Sequence, residues 1–199
     1  MYFGKIKPKN DGSRVPPNQN VTTTFPVLHH GNVPYYKKDL SDWDLKIFGE
    51  VEQTVTYTFE ELLKLTPSNT KNDIHCVTGW SKLDNGWDGI QTKVLVKEAG
   101  PMPEAKYVII HAEEDWSTNV PIEDFMRETS LIAHSHNGEP LTPEHGYPLR
   151  LVIPHLYFWK SAKWVRSIEF SIEDRPGFWE KNGYHNYGDP FKEERFSWD

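Results

Sequence analysis

Hydrophobic positions along this chain fall in short runs rather than long stripes. Trp43, Leu45 and Ile47 alternate with Asp44, Lys46 and Phe48, a period of two that predicts a strand stopping at Gly49. Residues 53–57 predict a second short strand. Thr58 is followed three residues later by Glu61, just ahead of Leu62 and Leu63, which is the pattern of a capping box and a short helix that stops at Pro67. Residues 74–78 form a short apolar strand, and residues 94–99 a helical turn ahead of Gly100 and Pro101. The run Tyr-Val-Ile-Ile-His at 107–111 predicts a buried strand. Residues 121–128 open like a helix with Pro121 in its first turn. Residues 131–134, 150–154 and 168–172 supply further strands, while the chain after Asp174 is aromatic and charged without a period.

Strands dominate, helices are few and no repeat period appears, so the pattern predicts one mixed, β-rich α+β domain over residues 27–199. Residues 1–26 read as an extended N-terminal arm, because Lys5, Lys7, Lys9, Asp11, Gly12 and Pro16–Pro17 break any regular pattern. The 15 Pro and 13 Gly agree with long irregular connections, and an aromatic share of 14% makes large rings a main source of apolar surface. A formal net charge of −7 disfavours nucleic acid and anionic membrane surfaces as partners. No apolar run approaches the roughly 20 residues of a membrane span. The first ten residues carry no apolar leader, and a single cysteine excludes an intramolecular disulfide, so a cytoplasmic, reducing compartment is expected.

Three features bear chemistry. Cys76 lies in DIHCVTGWS, at a strand end followed by a glycine-containing loop. It reads either as a small buried hydrophobe or as a thiolate ligand for a transition metal. The nine histidines include no HExxH and no zinc-finger spacing, so a zinc site has no support from spacing. Arg150 opens an apolar strand, and Lys160 and Lys163 follow, interleaved with Trp159, Ser161 and Trp164. Buried cations need an anionic partner. Hydroxyl, backbone N–H and cationic groups together suit a bound phosphate, while the alternative is a strand edge with snorkelling cations.

Together these segments resemble the sulfite oxidase-like molybdopterin-binding oxidoreductases, most closely the small single-domain bacterial type, from RVPPNQ to the SIEF strand. HGYPLR followed by SAKW is similar to the family's phosphate- and pterin-binding elements, which implies that His145, Arg150, Ser161, Ala162 and Lys163 bind the cofactor. The cysteine of HCVTGWS resembles the family's molybdenum ligand, which implies Cys76 as the metal's protein ligand. FPVLHHG is similar to the stretch that runs over the pterin, with His29 and His30 as the implied contacts. In YVIIHAEEDWSTNVP the resemblance implies Ala112 as a pterin contact and Trp116 as a substrate-side, catalytic position. The implied fold is the sulfite oxidase-like molybdopterin-binding fold, and the implied cofactor is Mo-molybdopterin. The implied reaction is oxygen-atom transfer to or from a small molecule, with the metal cycling between Mo(VI) and Mo(IV). Trp80, Trp87 and Trp116 are expected to wall off water.

Where sulfite oxidases carry an arginine shortly after the cysteine, this chain has only Lys82, which points away from sulfite as the substrate. At this length no haem domain is expected, so an external protein must donate or accept electrons. Two other classes compete: an aromatic-rich carbohydrate- or peptide-binding module, and a zinc or thiol hydrolase using Cys76 with a histidine.

Overall fold

In the computed structural model, which describes residues 14–199, two β-sheets face one core. The part of the expected arm from 1 to 13, with Lys5, Lys7, Lys9, Asp11 and Gly12, lies outside the described residues. The elements follow in the order β1 (Asn20–Val21), β2 (Leu45–Gly49), β3 (Val55–Tyr57), α1 (Phe59–Leu63), β4 (Ser68–His75), β5 (Trp80–Gln91) and α2 (Thr92–Ala99). Then come β6 (Tyr107–Ala112), β7 (Ser117–Pro121), α3 (Ile122–Phe125), β8 (Leu131–His136), β9 (Glu139–Pro140), β10 (Arg150–Val152), β11 (Val165–Ser171) and α4 (Phe178–Lys181).

One sheet runs β1-β5-β8-β10, with β4 also on β5 and β9 on β8; the other runs β3-β2-β11-β6-β7. In the second sheet β11 pairs parallel with β2 and antiparallel with β6, so it ties the two ends of the domain together. Because strand side chains alternate between faces, Ile132 and Leu151 point to the core between the sheets while Leu131 and Val152 join a second cluster with Ile74 and Trp87. From the other sheet Leu45, Ile47, Val108, Ile110, Ile168 and Phe170 complete the main core. This first sheet is therefore buried on both faces, and the cleft above its far face holds the polar features singled out above.

One local expectation holds, and others need correction. The capping box forms, with the Thr58 hydroxyl accepting from the Glu61 N–H and Glu61 accepting from the Thr58 N–H. The strand expected at 74–78 instead ends at His75, and residues 76–79 form a turn closed by the Gly79 N–H on the Cys76 carbonyl, 3.0 Å. Pro121 caps α3 from outside, and the helix stops at Phe125, where the sequence pattern ran to 128. The 12-residue β5 escaped the pattern because it is paired along both edges and carries Gly86 and Gly89. Gly89 is needed there: a Cβ would sit 2.0 Å from the Ile132 carbonyl oxygen.

Candidate functional site

A cavity of about 330 Å³ lies among the β4–β5 turn, the start of β10, the connection from β10 to β11, the stretch before Gly31 and the segment around α4. Cys76, Trp116, His29, His30, His145, Arg150, Ser161, Ala162 and Lys163 all line it. Ala112 does not. It is buried on β6 opposite Val165, its N–H donating to the Trp116 carbonyl at 2.8 Å, so it supports the wall through Trp116 instead of facing the cavity.

Cys76 sits at the tight turn where the chain leaves β4 for β5. Its N–H donates to the Trp80 carbonyl at 2.8 Å, and Gly79 takes a φ of +94°, a left-handed conformation that glycine adopts freely. The Gln19 amide donates to the Cys76 carbonyl at 3.0 Å, and Arg195 donates to the Val77 carbonyl, so segments from both ends of the chain hold the turn. The thiol is 3.1 Å from the Thr78 hydroxyl. Burial pushes the thiol pKa up, opposed by Thr78 and by the charge of Arg195. The neighbouring His75 is turned away, its Nδ1 2.8 Å from the Ser81 hydroxyl, and burial pushes its pKa down to about 4. A Cys–His nucleophile pair is therefore not assembled at Cys76. Among the described residues no three His, Cys, Asp or Glu side chains gather as a metal site. A metal at Cys76 needs ligands that arrive with a cofactor.

Arg150 is 2% exposed. Its guanidinium donates to the carbonyls of His145 at 2.9 Å and Ser161 at 3.1 Å and lies 4.4 Å from the centre of the Phe158 ring. Among the described residues no carboxylate pairs with it, and burial alone pushes its pKa down to about 9. Lys163 stands near it. Its ammonium donates to the carbonyls of Leu28 and Glu144, both at 2.8 Å, and burial and the charge of Arg150 push its pKa down to about 7. Gly146, at φ +111°, lets the two cations approach: a Cβ there would sit 3.1 Å from the Arg150 Cβ and 3.2 Å from the Lys163 Cβ. The Ser161 hydroxyl accepts from the Ile153 N–H at 2.9 Å. Among the described residues neither cation forms an ion pair, and Glu144 acts on Lys163 only from a distance; two desolvated cations in this state are an incomplete electrostatic arrangement, and an anion completes it.

Lys160 is not part of this group. It is fully buried and pairs with Glu180 at 2.7 Å, while its ammonium also donates to the Asn119 carbonyl. His145 is committed as well: its Nε2 donates to the Phe25 carbonyl at 3.2 Å, which leaves Nδ1 to accept from the Thr142 hydroxyl at 2.9 Å. Its ring stacks on Phe25 at 4.1 Å, so its structural job is to pin the stretch before His29 over the cavity. His29 and His30 are exposed on that stretch, His30 lying 4.6 Å from Phe178.

Sequence reasoning missed the aromatic wall supplied by α4 and the chain after it. Trp179 stacks on Tyr184 at 5.0 Å, Trp159 meets Tyr184 edge-on at 5.0 Å, and all three line the cavity. The Lys160–Glu180 pair is what brings α4 there, and nothing local in the sequence announces a pair 20 residues apart. Trp80 lines the cavity, whereas Trp87 is fully buried beneath Arg150, 5.5 Å from its guanidinium, and faces no solvent. Lys82 does not line the cavity. Trp43, Trp87, Trp159 and Trp164 are all buried and build walls and core, whereas Tyr35 and Trp198 stand out in solvent.

Residues 30–179 match the family model described as an oxidoreductase molybdopterin binding domain. The whole chain is 58% identical to an uncharacterized oxidoreductase, YuiH, of Bacillus subtilis, with 100% of both chains covered. It is 29% identical over 164 residues to the protein-methionine-sulfoxide reductase catalytic subunit MsrP of Campylobacter jejuni, covering 74% of this chain and 55% of that one. Among solved structures, the sulfane dehydrogenase SoxCD from Paracoccus pantotrophus matches with a TM-score of 0.66 at 28% identity, over 73% of this chain and 41% of that chain.

Proposed function

We propose that this chain, which belongs to the oxidoreductase molybdopterin-binding family, is a molybdenum-cofactor-dependent enzyme with Cys76 as the metal's protein ligand and a small molecule as its substrate. The observation that carries the reading is the sharing of one cavity by a buried thiol and two cations that no carboxylate pairs with among the described residues. Arg150 and Lys163 would hold the phosphate end, with the backbone of Ser161 and Ala162 beside it. His29 and His30 would lie over the pterin, and Ala112 would act indirectly by supporting Trp116. When bound, the cofactor supplies two-electron oxygen-atom transfer to or from the substrate.

The protein's own groups set the conditions for that chemistry. Burial keeps Cys76 protonated by itself, so the thiol proton must leave as a metal binds, and Thr78 offers a hydroxyl to the resulting thiolate. Trp80, Trp116, Trp179 and Tyr184 exclude water from the reacting region. Val77, Thr78, Trp80 and Tyr184, which line the cavity beside Cys76, bring no cation to it, and Arg195 is engaged with the Val77 carbonyl behind them, which favours a substrate without the dense negative charge of sulfite. Electrons would be exchanged with an external protein. A cytoplasmic location and the division into an arm of residues 1–26 and a domain of residues 27–199 remain part of this proposal.

Protein produced in a host that makes the cofactor is expected to carry about one molybdenum per chain and to release a fluorescent pterin on acid treatment. Cys76→Ser is expected to abolish turnover with the fold intact. Absence of both metal and pterin, or full turnover by the serine variant, would refute the reading.

A further inference from the structure

A line of aromatic rings leads from the cavity wall beside Cys76 to the surface. Tyr184 lines the cavity together with Cys76. Phe196 meets Tyr184 edge-on with ring centres 5.9 Å apart. Trp198 stacks on Phe196 at 4.8 Å with an interplanar angle of 12°, and is 75% exposed. The backbone fixes this line. Tyr184 and Phe196 form a β-bridge, the Ser197 N–H donates to the Gly183 carbonyl at 3.0 Å, and the Asp199 carboxylate accepts from the N–H groups of Arg195 and Phe196 at 2.9 and 2.6 Å.

A large indole held in one place and left in water loses the burial that would normally reward its ordering. Trp198 spends most of its area on solvent, while its neighbours Tyr184 and Phe196 are half-buried. Such an anchored, exposed aromatic is what a protein contact uses as its centre. The surrounding segment, residues 189–199, carries Asp189, Glu193, Glu194 and Asp199 against Lys192 and Arg195, and the whole chain has a formal net charge of −7.

We propose that Trp198 is the centre of the docking surface for the electron partner, and that Tyr184, Phe196 and Trp198 form the path for electrons between the cavity and that partner. The inference rests on the molybdenum-enzyme reading above. Reduction of an oxide XO to X consumes two electrons and two protons and releases water; oxidation of X consumes water and returns the same electrons and protons. The partner is a one-electron carrier protein, and two copies in turn supply or accept the two electrons. Each electron tunnels directly between the cavity and the partner's redox centre; the packed rings supply coupling along that path, and none of them is oxidised or reduced. The acidic surroundings select a carrier with a basic rim around its redox centre.

The test uses the molybdenum-loaded protein, with cytochrome c as a basic one-electron protein probe and a small viologen or ferricyanide dye that enters the cavity directly. Trp198→Ala is expected to slow electron exchange with cytochrome c at least tenfold, with Trp198→Phe restoring most of the rate, while turnover with the dye stays within twofold of wild type. Binding of cytochrome c to the same molybdenum-loaded protein, measured by calorimetry at low salt, is expected to weaken at least fivefold in the alanine variant and to fall steeply with ionic strength. Equal rates and equal binding for wild type and Trp198→Ala, or no exchange between wild type and cytochrome c, would overturn the docking proposal while dye turnover leaves the enzyme reading standing. A wild-type protein with neither molybdenum nor dye turnover would overturn both.

Discussion

Replacing Arg150 by methionine separates a cation kept for a ligand from one kept for the fold. The guanidinium is 2% exposed, and burial pushes its pKa down to about 9. A base with a depressed folded pKa costs stability at every pH below that value, and the cost fades as pH rises from about 9 towards the unfolded guanidinium value. At about 1.4 kcal/mol for each tenfold change in the protonation equilibrium, the charge costs the fold about 5 kcal/mol at neutral pH. Methionine removes that cost. It also leaves the carbonyls of His145 and Ser161 without their donor, at about 1–3 kcal/mol each. The two effects nearly cancel, so cofactor-free Arg150→Met should unfold within about 2 kcal/mol of wild type in urea. Cofactor retention should not survive. A cation and a phosphate charge about 4 Å apart are worth about 4 kcal/mol at an effective dielectric of 20, roughly a thousandfold in affinity. Urea titration of the cofactor-free form, with pterin and molybdenum content of the loaded form, measures both. A variant destabilised by 4 kcal/mol or more that still holds its cofactor would refute the argument and make Arg150 structural.

Lys163, with its pKa pushed down to about 7 by burial and the charge of Arg150, loses its charge gradually as pH rises through that region. Sulfate, used as a non-titrating anion, should bind the cofactor-free protein more weakly as pH rises from 6 to 9, and Lys163→Arg should flatten that dependence; a flat wild-type profile in calorimetry would count against it. The same depressed pKa means that Lys163 costs stability below about 7, a cost that fades as pH rises towards the ordinary lysine value. Gly146→Ala must hold a side chain at φ +111° while crowding both cations, so a loss of about 1–3 kcal/mol together with lower cofactor content is expected, read by thermal unfolding and pterin release. Lys160→Ala leaves Glu180 as an unpaired buried charge and should cost about 3–5 kcal/mol. It should also loosen α4, seen as faster amide exchange at Trp179.

Elements whose cause is local were legible. Thr58 and Glu61 announce α1 because a capping box closes within one turn, and the apolar run of β6 announces a buried strand. β5 was not legible, since its polar run WSKLDNGWDGIQ is stabilised by neighbours along both edges and not by an apolar stripe of its own. Similarly, β4 reaches back to Ser68 because β5 pairs with it, though residues 68–73 carry no hydrophobic signal.

At the site, the sequence alone determined which groups were out of place. An arginine opening an apolar strand is an anomaly whatever the fold, because burying a charge carries a known cost; the lone Cys76 reads equally as a small buried hydrophobe, and only the family resemblance marks it as a ligand. The tertiary structure decided which anomalies face one another. Cys76, Arg150 and Lys163 meet across one cavity, Ala112 drops behind Trp116, and Lys160, adjacent to Ser161 in sequence, turns away to Glu180. The wall that closes the cavity comes from residues 159, 179 and 184, brought together by a buried ion pair and a β-bridge that no local pattern encodes. Local chemistry depends on the residue and its immediate neighbours, whereas the partner of a buried charge depends on chain segments that only folding brings within reach.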